Sequence, residues 1–77
     1  MSVTIIFFGQ LAEITGTNRI GVENVTDTDS LLAEMNRRYP AFQAAKFVVA
    51  VDQQLISGNT LLNGHQTVAF LPPFSGG

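Results

Sequence analysis

The chain contains no cysteine, a single histidine and a single lysine, and only four basic residues in 77. Without cysteine there is no disulfide framework, no thiolate-held zinc and no nucleophilic thiol. The lone His65 excludes a histidine-clustered metal site and argues against an internal catalytic triad, so no metal site is expected. Four basic residues against six acidic ones give a net charge of -2, the wrong sign for gripping phosphate backbones, and no nucleic-acid partner is expected. The apolar runs are too short to cross a bilayer, and no basic segment precedes an apolar stretch with a cleavage site. These absences point to a cytoplasmic domain without membrane contact and with little chemical equipment of its own.

What is present is apolar. Hydrophobic side chains make up 45% of the residues and charged ones 13%, enough for one small core. A chain of this length buries roughly 60% of its unfolded surface, which suits one compact pair of layers. Ser2 to Phe8 is rich in β-branched and aromatic residues, and Ile5, Ile6, Phe7 and Phe8 are apolar on both faces, as in a central strand. Gly9 ends it. Leu11 and Ile14 sit three apart and predict one helical turn, and Gly16-Thr17-Asn18 is turn chemistry. A second strand is expected from Arg19 to Val25, with Ile20 and Val22 on one side.

The firmest local signal is a helix. Asp27 or Thr28 can cap it, Asp29 suits its positive end, and Leu31, Leu32, Met35 and Tyr39 form an apolar stripe. Arg37 and Arg38 fall in its last turn and complement the dipole, and Pro40 stops it. After a short loop, Phe47 to Val51 reads as a continuous apolar strand. Asp52-Gln53-Gln54 turns it, and Leu55-Ile56 pairs back. Asn63-Gly64 is a turn signal before a last strand, Thr67 to Leu71, which Pro72 and Pro73 end. The order gives an α+β fold: a mixed sheet of four to five strands with one main helix on one face. Residues 1-71 form the domain and residues 72-77 a flexible tail.

Most polar residues have plain readings. Phe7 and Phe8 resemble base-stacking pairs, but with so few cations core packing explains them better. His65 follows a turn glycine and reads as a solvated loop residue. Asp52 serves turn geometry. A terminal Gly-Gly is weak by itself, since small termini are common. Joined to Pro72-Pro73 and an apolar strand just upstream, it gains weight. Phe74, between two prolines and two small residues, reads as a docking anchor rather than a core residue.

The ending Val68-Ala-Phe-Leu-Pro-Pro-Phe-Ser-Gly-Gly77 resembles that of the small, sulfur-carrying subunits of molybdopterin synthase, ubiquitin-like proteins of the β-grasp fold. Ile6-Phe-Phe8 followed by Leu11-Ala-Glu-Ile-Thr-Gly16 is similar to the family's first strand and turn. Leu31-Leu32 with Arg38-Tyr-Pro40 is similar to its helix and helix stop, and Val49-Ala-Val51 with Gln53 also matches. His65-Gln66 departs from the acidic residues that the family commonly carries there. The resemblance implies that an E1-like activating partner uses ATP to adenylate the carboxylate of Gly77, which then becomes a thiocarboxylate. It further implies that the tail enters the large synthase subunit, in a heterotetramer, and gives its sulfur to a cyclic pterin phosphate. No cofactor is expected on the chain itself.

The tail residues suit that role physically. Gly76 and Gly77 have no Cβ and can thread a narrow channel. Pro72-Pro73 favours an extended exit, and six extended residues reach on the order of 20 Å. Ser75 has no base beside it in sequence and would only position the tip. Strand alternation places Ile6, Phe8, Ala69 and Leu71 on the face opposite the helix, where an apolar patch would serve as the docking surface for both partners. The same residues leave open a thiamine-type sulfur carrier, a protein modifier that forms isopeptide bonds through Gly77, and a plain interaction domain.

Overall fold

The computed structural model describes residues 2–73. Along the chain lie β1 (Ser2–Phe7), α1 (Gln10–Thr15), β2 (Arg19–Glu23), α2 (Thr28–Arg38), a short 3₁₀ helix (Pro40–Gln43), β3 (Val48–Val51), β4 (Gln54–Ile56) and β5 (Thr67–Leu71). The strands form one sheet in the order β2-β1-β5-β3-β4. β1 and β5 run parallel, with Ile5 opposite Val68 and Phe7 opposite Phe70, and every other pair is antiparallel. A parallel pair needs a long crossover, and everything between β1 and β5 supplies it. The expected mixed sheet with one main helix is therefore the observed one.

α2 starts where its caps dictate. Asp27 is the N-cap, and its Oδ1 accepts the Ser30 N–H at 2.8 Å while the Ser30 hydroxyl accepts the Asp27 N–H. Tyr39, before Pro40, leaves the helical region with φ -132° and ψ 85°, which ends the helix. Pro40 does not open a plain loop, however. It begins the 3₁₀ helix, which drives Phe42 into the core at 2% exposure. There Phe42 meets Phe7, Phe47 and Phe70 at ring-centroid distances of 5.9, 5.4 and 5.6 Å. Leu31 and Met35 complete this core from α2 and Leu11 from α1.

Two ends are shorter than the apolar runs suggested. β2 stops at Glu23 because Asn24 turns with a positive φ of 67°, and β3 begins at Val48 because Phe47 packs against the core instead of pairing. Asp52 and Gln53 form a two-residue turn between β3 and β4, with φ of 49° and 71°. Left-handed angles at both positions are what a hairpin of this twist requires. The Asp52 carboxylate accepts the Thr67 N–H at 3.0 Å, and the Thr67 carbonyl accepts the Asp52 N–H at 2.8 Å, so the turn is tied to β5. Asn63-Gly64 does turn the chain, with Gly64 at φ 97°, but no strand precedes it.

Candidate functional site: the open sheet face and the tail exit

The two faces of the sheet have different fates. Val3, Ile5, Phe7, Val68 and Phe70 face the helices and are each 2% exposed or less. Thr4, Ile6, Phe8, Thr67, Ala69 and Leu71 alternate to the other face, as strand geometry dictates. Nothing among the described residues covers that face, since Leu11, Leu31, Met35 and Phe42 all enter the core from the opposite side. Ile6, Ala69 and Leu71 are half-buried and Phe8 is 44% exposed. The structure thus brings Ile6, Phe8, Ala69 and Leu71 together, as the alternation indicated.

The apolar face is wider than the alternation of β1 and β5 alone indicates. Val48 pairs with Leu71, and Leu55 pairs with Ala50, which itself pairs with Ala69, so all of them share the open face. Val48 is 36% and Leu55 70% exposed. A continuous apolar run such as Phe47 to Val51 does not say which residues face which way, and only the register with β5 decides it. Exposed apolar side chains gathered in one place mark a surface made to be covered.

At the end of β5 the chain leaves beside this face. The Phe8 N–H donates to the Phe70 carbonyl at 3.1 Å, and Pro72 then packs against Gly9. Pro72 and Pro73 line a shallow groove with Phe8, Leu11, Ala45 and Lys46. Phe8 therefore belongs both to the open face and to the tail exit. Phe74, Ser75, Gly76 and Gly77 lie outside the described residues.

The described residues hold no group of three or more acidic or histidine side chains that could bind a metal. His65 is exposed, and its backbone N–H donates to Asn63 Oδ1. Arg37 and Arg38 do more than complement the helix dipole, because both clamp Glu34 at 2.6 Å and hold its carboxyl down at about 2. Asp27 is held below the ordinary carboxylate range, first by the Asn59 side chain and then by Ser30. Among the described residues the site is an open apolar sheet face beside the end of β5.

A five-stranded mixed sheet with its helix across one face, and with a parallel central pair made of the first and last strands, is the ubiquitin-like β-grasp architecture. The profile of the ThiS family matches residues 5–77, and the chain belongs to that family. It is 32% identical over 80 residues to the molybdopterin synthase sulfur carrier subunit of Escherichia coli K12, covering 97% of this chain and 99% of that one. It is 28% identical over 82 residues to the protein of the same name from Mycobacterium tuberculosis H37Rv, covering 100% and 99%. Two solved structures share the fold. The small archaeal modifier protein 1 of Methanosarcina acetivorans superposes with a TM-score of 0.83 at 21% identity, covering 99% of this chain and 96% of its own. A chain in a complex of subunits 1 and 2 of the molybdopterin-converting factor of Helicobacter pylori matches with a TM-score of 0.74 at 24% identity, covering 100% of this chain and 100% of that one.

Proposed function

We propose that this chain is a sulfur carrier of molybdopterin biosynthesis, non-catalytic by itself, whose reactive group is the carboxylate of Gly77. The observation that carries the proposal is the full-length relationship to the Escherichia coli sulfur carrier subunit, at 32% identity. The open face supports it, because a carrier that visits two partners needs a permanent docking surface beside its arm.

In this reading an E1-like activating enzyme transfers AMP from ATP to Gly77, releasing pyrophosphate and forming an acyl-adenylate. A carboxylate is a poor acyl donor, and adenylation supplies the leaving group. A sulfide equivalent from a sulfur donor then displaces AMP and leaves a terminal thiocarboxylate. Within a complex with the large synthase subunit, assembled as a heterotetramer, the thiocarboxylate sulfur attacks a carbon of the cyclic pterin phosphate and displaces an oxygen substituent, forming a thioester. Water then cleaves the acyl–sulfur bond, which leaves the sulfur on the pterin and returns the carboxylate, and a second loaded chain supplies the second sulfur. This chain contributes the patch of Ile6, Phe8, Ala69 and Leu71 for docking and the Pro72-Pro73 exit for direction. Phe74 anchors the arm, while Ser75 and Gly76 position Gly77. The chain itself holds no cofactor, and the setting is cytoplasmic.

Reconstitution tests this. Thiocarboxylated chain, large subunit and cyclic pterin monophosphate should together yield a dithiolene-bearing pterin, with the carrier recovered as the carboxylate. A chain that instead appears in cells as covalent ladders on target lysines, with no pterin product in vitro, would identify a protein modifier.

A further inference from the structure

β2 is the outermost strand on its side of the sheet, antiparallel to β1 and unpaired on its other side among the described residues. The Phe7 N–H donates to the Asn18 carbonyl, while the N–H groups of Thr4 and Phe8 donate the other way, to Gln66 and Phe70. Alternation along an antiparallel ladder therefore turns the backbone groups of Ile20 and Val22 toward β1 and those of Arg19, Gly21 and Glu23 outward. Thr17 marks the same direction: its hydroxyl accepts the Arg19 N–H at 3.3 Å and donates to the Arg19 carbonyl at 3.2 Å.

The side chains along this edge are symmetric about Gly21 and opposite in sign. Arg19 and Glu23 are exposed, lie on the open face opposite Ile6 and Ser2, and make no ion pair among the described residues. Gly21 has open space where a Cβ would stand. α2 does not cap the edge; a polar groove lined by Gly21, Glu23, Asn24, Glu34 and Arg38 runs beside it.

We propose that the outer edge of β2 is a self-complementary surface on which a second copy of this chain pairs antiparallel, about a two-fold axis at Gly21. In that register Arg19 lies opposite Glu23 of the second copy and Glu23 opposite its Arg19, with Cβ atoms about 5 Å apart. Gly21 faces Gly21, so the backbones meet without side chains at the axis. The alternatives are worse: a parallel pairing aligns like charges, and a two-residue slip leaves Arg19 facing glycine. The long, exposed Thr17 bonds give way to interchain bonds from Arg19. So short an edge makes a small interface and a reversible dimer. Pairing at the outer edge of β2 uses backbone groups that point away from β1, so the patch of Ile6, Phe8, Ala69 and Leu71 and the tail exit remain free, and the proposal does not depend on the sulfur-carrier reading.

Sedimentation velocity of the full chain over rising concentration tests it, with far-UV circular dichroism to verify folding. The unmodified chain is expected to shift from monomer to dimer. Arg19→Glu alone and Glu23→Arg alone should each lose the dimer, because each puts like charges face to face. Mixing these two variants in equal amounts, or combining both changes in one chain, should restore it. A chain that stays monomeric throughout, single variants that dimerise as before, or a mixture that fails to regain the dimer would each overturn the proposal, and none of these outcomes touches sulfur transfer.

Discussion

The ring of Pro72 lies so close to Gly9 that a Cβ at position 9 would stand 2.9 Å from Pro72 Cγ. Gly9 also holds φ 61° and ψ -134°, a region open essentially to glycine. The start of the arm is thus set by a glycine that sequence shows only as the end of a strand. Gly9→Ala should lower stability by about 1–3 kcal/mol through backbone strain, and further through the clash with Pro72. It should also slow sulfur loading by moving the exit. Gly58→Ala, with open space around the added methyl, should do neither. Thermal melts and a loading assay on both variants decide this.

The open face carries the binding prediction. Leu71→Asp and Phe8→Asp should each abolish association with the large subunit and with the activating enzyme while the domain stays folded. The structure adds Leu55→Asp, which should weaken at least one of the two complexes, because Leu55 is 70% exposed on the same face. Calorimetric titration with each partner, with circular dichroism as the folding control, gives the answer. Unchanged binding of either partner to the Leu71 variant would show that the two do not share this surface.

Asn59 ties the connection before β5 to the start of α2. Its Oδ1 accepts the Asp29 N–H at 2.8 Å and the Thr28 hydroxyl at 3.2 Å, and its Nδ2 donates to Asp27 Oδ2 at 3.1 Å. Asn59→Ala leaves the Asp29 N–H without its protein partner and should cost about 1 kcal/mol, as loss of a helix cap does. Urea denaturation measures it. The Asp27 carboxyl, no longer held down by Asn59, should titrate at a higher pH in the variant, as followed by carboxyl NMR.

Glu34 sets an acid-side dependence. Its folded value of about 2 lies below its ordinary 4.5, so its stabilisation is fully present above about 4.5 and is lost as pH falls toward 2. Glu34→Gln should flatten that limb of the stability curve in low salt. The difference should shrink at high salt, because Glu34 and both arginines meet solvent. Denaturation midpoints between pH 5 and 2, at two ionic strengths, check both statements.

Local signals revealed most of the fold. β1 and β5 were legible because each is apolar on both faces, and α2 because a cap, a stripe and a proline bracket it. Phe42 was not, since a single 3₁₀ turn after a proline has no periodicity to read, yet it places a large ring in the core. The Asp52-Gln53 turn takes left-handed angles without a glycine to announce them. Asn59 acts on a helix start some thirty residues away, and such a partnership exists only once the chain is folded. Of the candidate site, Ile6, Phe8, Ala69 and Leu71 followed from alternation alone, whereas Val48 and Leu55 needed the register of β3 with its neighbours.

The central claim is that Gly77 is the sulfur-bearing residue, and intact-mass measurement tests it most directly. The chain is incubated with the activating enzyme, ATP and a sulfur donor, then weighed whole and fragmented. The expected result is replacement of one terminal oxygen by sulfur, localised to Gly77, in the unmodified chain and in Ser75→Ala. Deletion of Gly77, Gly76→Val and any extension past Gly77 should leave the mass unchanged. Sulfur gained by a chain extended beyond Gly77, or found on any other residue, would contradict the account.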